Sequence, residues 1–159
     1  MTADDIGRAA TYAAEEDAFG GTDLDDESSL AALVATATTI TTGEWWRACG
    51  APAVHVEAAS TAAHSSSARS TGPAVIVRLA GGQRTPGTLT HELAHALAGV
   101  AAGHDGVFRA AHVDVVALLA GAAVAADLLR AYAGAGLAVG DRRWPSPVRV
   151  MGDGFAIIP

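Results

Sequence analysis

The sequence predicts an α+β fold: a small, mainly antiparallel sheet packed on helices, with a helical C-terminal half. Two observations predict the sheet and the helices. Apolar residues alternate at period two in AVHVEA (53–58) and AVIVRL (74–79), and elsewhere the alanine-rich chain repeats its larger apolar residues at helical spacing. A third observation fixes the centre of the chain. The stretch TPGTLTHELAHALAG (85–99) opens on a helix-start signal and carries H-E-x-x-H at His91, Glu92 and His95.

The elements follow in order. Asp4 or Asp5 can cap a first helix running to about Ala18, with Ile6, Ala9, Ala10, Ala13 and Asp17 on one face and Gly20-Gly21 ending it. The acidic segment 22–27 reads as a solvated loop. Ser28 or Ser29 then caps a second helix with Leu30, Leu33, Val34 and Ala37 at helical spacing, weakened toward its end by the β-branched run 38–42. Trp45 and Trp46 read as core or hinge anchors. The strands 53–58 and 74–79 are expected to pair as an antiparallel hairpin across a polar segment that ends in Gly72-Pro73.

Thr85 can cap the next helix, with Pro86 at its first position. His91 and His95 then lie one turn apart on the same face, where two imidazoles can hold one zinc ion. A catalytic zinc takes a third protein ligand, and the end of this helix decides whether one arrives. Were the helix to run to Gly103, that residue would stand roughly 12 Å beyond His95 along the axis. A break at Gly99 overshoots by only about 6 Å. Residues 100–103 can recover that, since an extended residue spans about 3.3 Å. A break at or just after Gly99, a tight return and His104 at the metal are therefore predicted. Asp105 is the alternative third ligand, and it can also cap the following helix, which runs to about Leu119. Gly121 interrupts, a last helix spans about 122–133, and the tail 141–159 reads as extended, with VRVM and FAII as short apolar runs that could add an edge strand.

By chance, an H-E-x-x-H would occur in roughly one chain of this composition in a hundred. The opposing interpretation is an alanine-rich helix with two surface histidines; the capped, uncharged helix and the downstream Gly-His weigh against it. Glu92 follows the first ligand directly and can take a proton from an activated water without binding the metal. Of the other histidines, His64 in the polar loop could approach as a transition-state donor, as could Arg109 or Tyr132. His112 is expected on a solvated helix face and His55 on the outer face of a strand.

Composition bounds the function classes. Ten basic against 17 acidic residues give a net charge of −7, which argues against a nucleic-acid partner. Cys49 is the single cysteine, so no internal disulfide can form and a reducing compartment fits. The acidic start MTADDIGR is unlike a secretion signal, and the longest apolar run, 115–126, is too short for the ~20 residues of a membrane span. A cytoplasmic protein with no membrane partner is expected, and its oligomeric state is left open.

With THELAHAL and GHDGVFRAAHVDVVALLAG in view, together with RAATYAAEEDAF, AAHSSSARSTG and LLRAYAGAGL, the chain resembles the zincins. More narrowly, it resembles small actinobacterial-type H-E-x-x-H metallohydrolases related in pattern to SprT-like proteins. The resemblance implies a zincin-like fold, Zn2+ bound by His91, His95 and His104, and Glu92 as catalytic acid/base. It departs at Asp105, where such proteins commonly have glycine, so the choice between His104 and Asp105 stays open. It implies a zinc-dependent hydrolase, first of all a metallopeptidase acting on a peptide or protein laid along an exposed strand, for which 75–79 is the candidate. The other reading is a zinc-binding structural or protein-interaction module without turnover. The whole chain, 1–159, is taken as one domain: N-terminal helices at 1–47, a hairpin at 53–80, a metal-binding helical part at 85–136 and the tail at 141–159.

Overall fold

The computed structural model describes residues 7–147. Among them, six α-helices and one three-stranded mixed sheet make an α+β fold. Helix α1 spans Arg8–Phe19 and starts at Gly7 with no side-chain cap; Asp4 and Asp5 lie outside the described residues. Its buried face is Thr11, Ala14, Glu15, Ala18 and Phe19, whereas Ala9, Ala13 and Asp17 of the expected face are exposed. Burial of Glu15 is the physical reason, since that carboxylate finds imidazole partners inside the protein.

Ser29 caps α2 (Leu30–Thr41), its Oγ accepting from Ala32 N at 3.1 Å. The threonine run does not end the helix early. Thr38 and Thr41 donate to the carbonyls of Val34 and Ala37 at 2.9 Å each, which satisfies the hydroxyls along the helix itself. In α3 (Glu44–Ala48), Trp45 and Trp46 are buried anchors whose indole N–H groups donate to Pro145 O and Pro52 O, both at 2.8 Å.

The strands are β1 (Ala53–Ala58), β2 (Ser67–Ser70) and β3 (Ala74–Leu79), in the order β1-β3-β2. The two apolar runs do not form the expected hairpin. β1 and β3 pair in parallel from Ala53↔Ala74 to Ala58↔Leu79, and β2 pairs antiparallel with β3 from Ser67↔Arg78 to Ser70↔Val75. The Gly-Pro signal belongs to the β2–β3 turn, where Thr71 N donates to Ala74 O at 2.8 Å and Gly72 has φ +83°. The polar segment between the two runs is long enough to supply a whole strand, and this frees β1 to run parallel on the far side. Because β3 is central, 75–79 cannot receive a peptide as an added strand. The sheet edges are β1 and β2. Val75, Val77 and Leu79 alternate into the core, and His55 is exposed on β1.

Helix α4 spans Pro86–Ala98; the Thr85 hydroxyl accepts from Thr88 N at 3.1 Å. Leu89, Leu93 and Ala96 are buried in the same core cluster as β3, while Gly87 meets α1 and the 3-10 turn Asp23–Asp25. A Cβ at Gly87 would stand 2.9 Å from Leu24 O and 3.0 Å from the Phe19 ring, so only glycine permits this approach. The helix stops at Gly99, with φ +98°; a 3-10 turn (Val100–Ala102) and Gly103 at φ +60° reverse the chain. Helices α5 (Gly106–Ala120) and α6 (Ala122–Gly134) follow, parted by Gly121.

The described part of the tail docks on α5. Gly140 N donates to Gly106 O at 2.9 Å. Buried Asp114 receives Arg142 through two contacts of 2.8 Å and the Trp144 indole at 2.8 Å. The runs VRVM and FAII lie outside the described residues, and with them the suggested edge strand. No helix among the described residues is long and apolar enough to cross a membrane.

Candidate metal centre

α4 places His91 and His95 on one face, and the return after Gly99 carries His104 to the same place. One ligand nitrogen from each of the three imidazoles lies within 4.8 Å of the others. His91 Nε2 and His104 Nε2 are 3.1 Å apart. Two zinc-bound nitrogens at about 2.0–2.1 Å in tetrahedral geometry would be roughly 3.3 Å apart, close to this one edge, whose length is also that of an N–H···N hydrogen bond.

Protonation at Glu15 and His95 suits the same use, whereas at His91 burial is outweighed by the Glu15 carboxylate, which raises the pKa, so a metal ion there would displace a proton. Burial pushes the Glu15 carboxyl up, but His112 and His91 outweigh it and hold the pKa at about 2. Glu15 is therefore a carboxylate, and His91 Nδ1 donates to its Oε1 at 2.7 Å. That bond leaves His91 Nε2 facing His104, and the close contact between the two nitrogens is closed by a proton or by a cation in its place. Burial, and then the neighbouring imidazoles His91 and His104, push His95 down to about 3, so its ring is neutral; its Nδ1 is buried with no hydrogen-bond partner. Three converging imidazoles, one with an orphaned nitrogen and one with a carboxylate fixing its tautomer, fit a zinc ion.

Phe108 forms the floor, its ring centroid 4.9, 4.4 and 5.0 Å from those of His91, His95 and His104. Tyr12 stacks on His91 at 4.9 Å and 11°. Glu92 is 3% exposed and lines a cleft of about 180 Å³ between α1 and α4. Burial raises its pKa to about 7; His91 and Arg8 oppose the shift and Glu15 adds to it.

Other expected site residues stand elsewhere. Asp105 is exposed and caps α5, its Oδ1 accepting from Val107 N at 2.9 Å and Phe108 N at 3.0 Å, so the carboxylate is used by the backbone. Arg109 donates to His104 O at 2.6 Å and Ala138 O at 2.7 Å, and so ties the loop that carries His104 to the segment after α6. Tyr132 is wholly buried and its hydroxyl meets His112 Nδ1 at 2.9 Å, behind the site. His64 is exposed in the loop before β2 and is not among the clustered imidazoles.

His112 is the largest departure from the sequence reading: it is fully buried, not solvated. The Thr90 hydroxyl donates to Gly87 O at 2.7 Å, so His112 Nε2 must donate to Thr90 Oγ1 at 3.0 Å. Burial lowers the His112 pKa against the opposing pull of Glu15, and its Nδ1 lies 2.9 Å from the Tyr132 hydroxyl and 3.4 Å from Glu15 Oε1. Glu15, Tyr12 and Phe108 were also missed. The available signal was a lone glutamate in the small-residue stripe Thr11, Ala14, Ala18.

No family model, no curated protein and no solved structure matches this chain.

Proposed function

We propose that the protein is a zinc-dependent hydrolase, a metallopeptidase in the first instance, with His91, His95 and His104 as metal ligands and Glu92 as general base. One observation carries the reading: three imidazole nitrogens converge within 4.8 Å, and the next residue after the first of them is a buried carboxylate facing a cleft. The resemblance of THELAHAL and the following Gly-His to zincins supports it.

When bound, zinc supplies Lewis acidity, bringing the pKa of a water toward 7 and polarising a substrate carbonyl. The chain's own groups do the rest. Glu15 keeps the proton of His91 on Nδ1, leaving Nε2 as donor atom. Arg109 ties down the carbonyl of His104, and Phe108 keeps water from beneath the rings. Glu92, held near 7 by burial, accepts the proton of the attacking water and returns it to the leaving amine; a nearby cation would favour its ionised form. The sheet edge β2 takes the place of 75–79 as the candidate to align a peptide.

The test is Glu92→Gln. Zinc content, measured on the purified protein, should remain one per chain while cleavage of a broad peptide mixture disappears. Cleavage at the wild-type rate in this variant rejects the hydrolase reading; bound zinc with no cleavage by the wild type favours the structural module.

A further inference from the structure

We propose that the cleft beside Glu92 receives a basic side chain, arginine or lysine, of the peptide substrate. Its position next to a scissile bond rests on the hydrolase reading; its charge preference does not. The cleft holds about 180 Å³, below the roughly 300–1,000 Å³ of pockets for drug-sized ligands, so it suits one long side chain. It runs along α4 from Glu92 and His91 to Thr88 and Thr85, about 10 Å of helix axis, comparable to an extended arginine or lysine.

Its chemistry is one-sided. Phe19, Leu24 and the Tyr12 ring give an apolar wall, while Glu16 and Asp25 stand exposed at the rim and no Lys or Arg lines it. That pairing suits a side chain that lays its aliphatic stem on apolar surface and keeps its cationic head among carboxylates. The start of α4 opposes this with about half a positive charge, which two full carboxylates outweigh. Arg8 lies over the Tyr12 ring, 5.7 Å from its centroid, and stands outside the lining.

An independent observation points to a ligand. Glu92 is 3% exposed, faces the cleft, and has no hydrogen bond or ion pair among the described residues. His91 and Arg8 attract this carboxylate but offset its burial only in part, and a cationic group entering the cleft would add to that attraction. The cleft is also continuous with a sheet edge: Gln83, in its lining, accepts from Ser66 N at 2.7 Å, and Ser66 leads into β2.

The test uses the full chain and three acetylated, amidated pentapeptides, alanine throughout except for a central Arg, Leu or Glu. Binding is followed by calorimetry at low salt, with and without zinc, for the wild type and for Glu16→Lys/Asp25→Lys. The Arg peptide should bind at least tenfold more tightly than the Leu peptide, the Glu peptide most weakly, and the double variant should erase the difference while unfolding at the wild-type temperature. Equal or undetectable binding of the three, or an Arg preference intact in the double variant, overturns the proposal. Should the double variant misfold, 0.5 M NaCl on the wild type replaces it: a preference that survives the salt overturns the proposal. The two readings fail separately. Selective binding without cleavage by the zinc-loaded protein rejects the hydrolase alone, and cleavage without Arg preference rejects the pocket alone.

Discussion

Replacing Glu15 should weaken metal binding although Glu15 is not proposed to touch the metal. Its carboxylate accepts from His91 Nδ1 at 2.7 Å, 8% exposed, so the contact is little screened by solvent. Loss of such outer partners costs ~10–100-fold in metal affinity. Glu15→Gln keeps an acceptor and loses the charge, so about tenfold, or ~1.4 kcal/mol, is expected. Glu15→Ala also releases the His91 ring and leaves His112 without its neighbour at 3.4 Å, so its loss should approach ~100-fold. Competition for zinc against a chromophoric chelator at pH 7 measures both. Wild-type affinity in a folded Glu15→Ala protein would refute the role given to this residue.

Other predictions follow from the same geometry. Without metal, Glu15 should give an acid-sensitive stability. Its folded pKa of about 2 lies below the ordinary 4.5, so the stabilisation is present above pH 4.5 and lost as pH falls toward 2. The size is about 3 kcal/mol, and urea unfolding at pH 6 and pH 3 should show a smaller difference in Glu15→Gln than in the wild type. Gly99→Ala places a Cβ at φ +98°; a loss of ~1–2 kcal/mol by thermal unfolding and weaker zinc binding are expected, and full retention of both would contradict the return that delivers His104. Asp105→Ala should cost ~1 kcal/mol as a lost cap and leave one zinc per chain; loss of that zinc would reinstate Asp105 as a ligand.

The parts legible in the sequence are those with local causes. Thr85-Pro86 and Gly99 mark the ends of α4 because a cap, a fixed φ and a positive φ act within a few residues. They also fixed where His104 would come. The pairing of β1 and β3 was hidden because Ser67–Ser70 is short and polar and has no alternation of its own, so the strand that takes the hairpin position was unseen. Glu15 was hidden by distance: its partner His91 is 76 residues away. His112 looked solvated because the groups that satisfy it, Thr90 and Tyr132, come from two other helices. A buried polar side chain is recognisable only from both ends of its hydrogen bonds.

The clasp at Asp114 bears on how the polypeptide can be handled. Arg142 and Trp144 reach it from the tail, and Trp45 grips the backbone at Pro145. Trimming the chain before residue 141 would strand a buried anion and empty an indole-sized slot beside the sheet. A shortened recombinant version should therefore keep everything through Pro147.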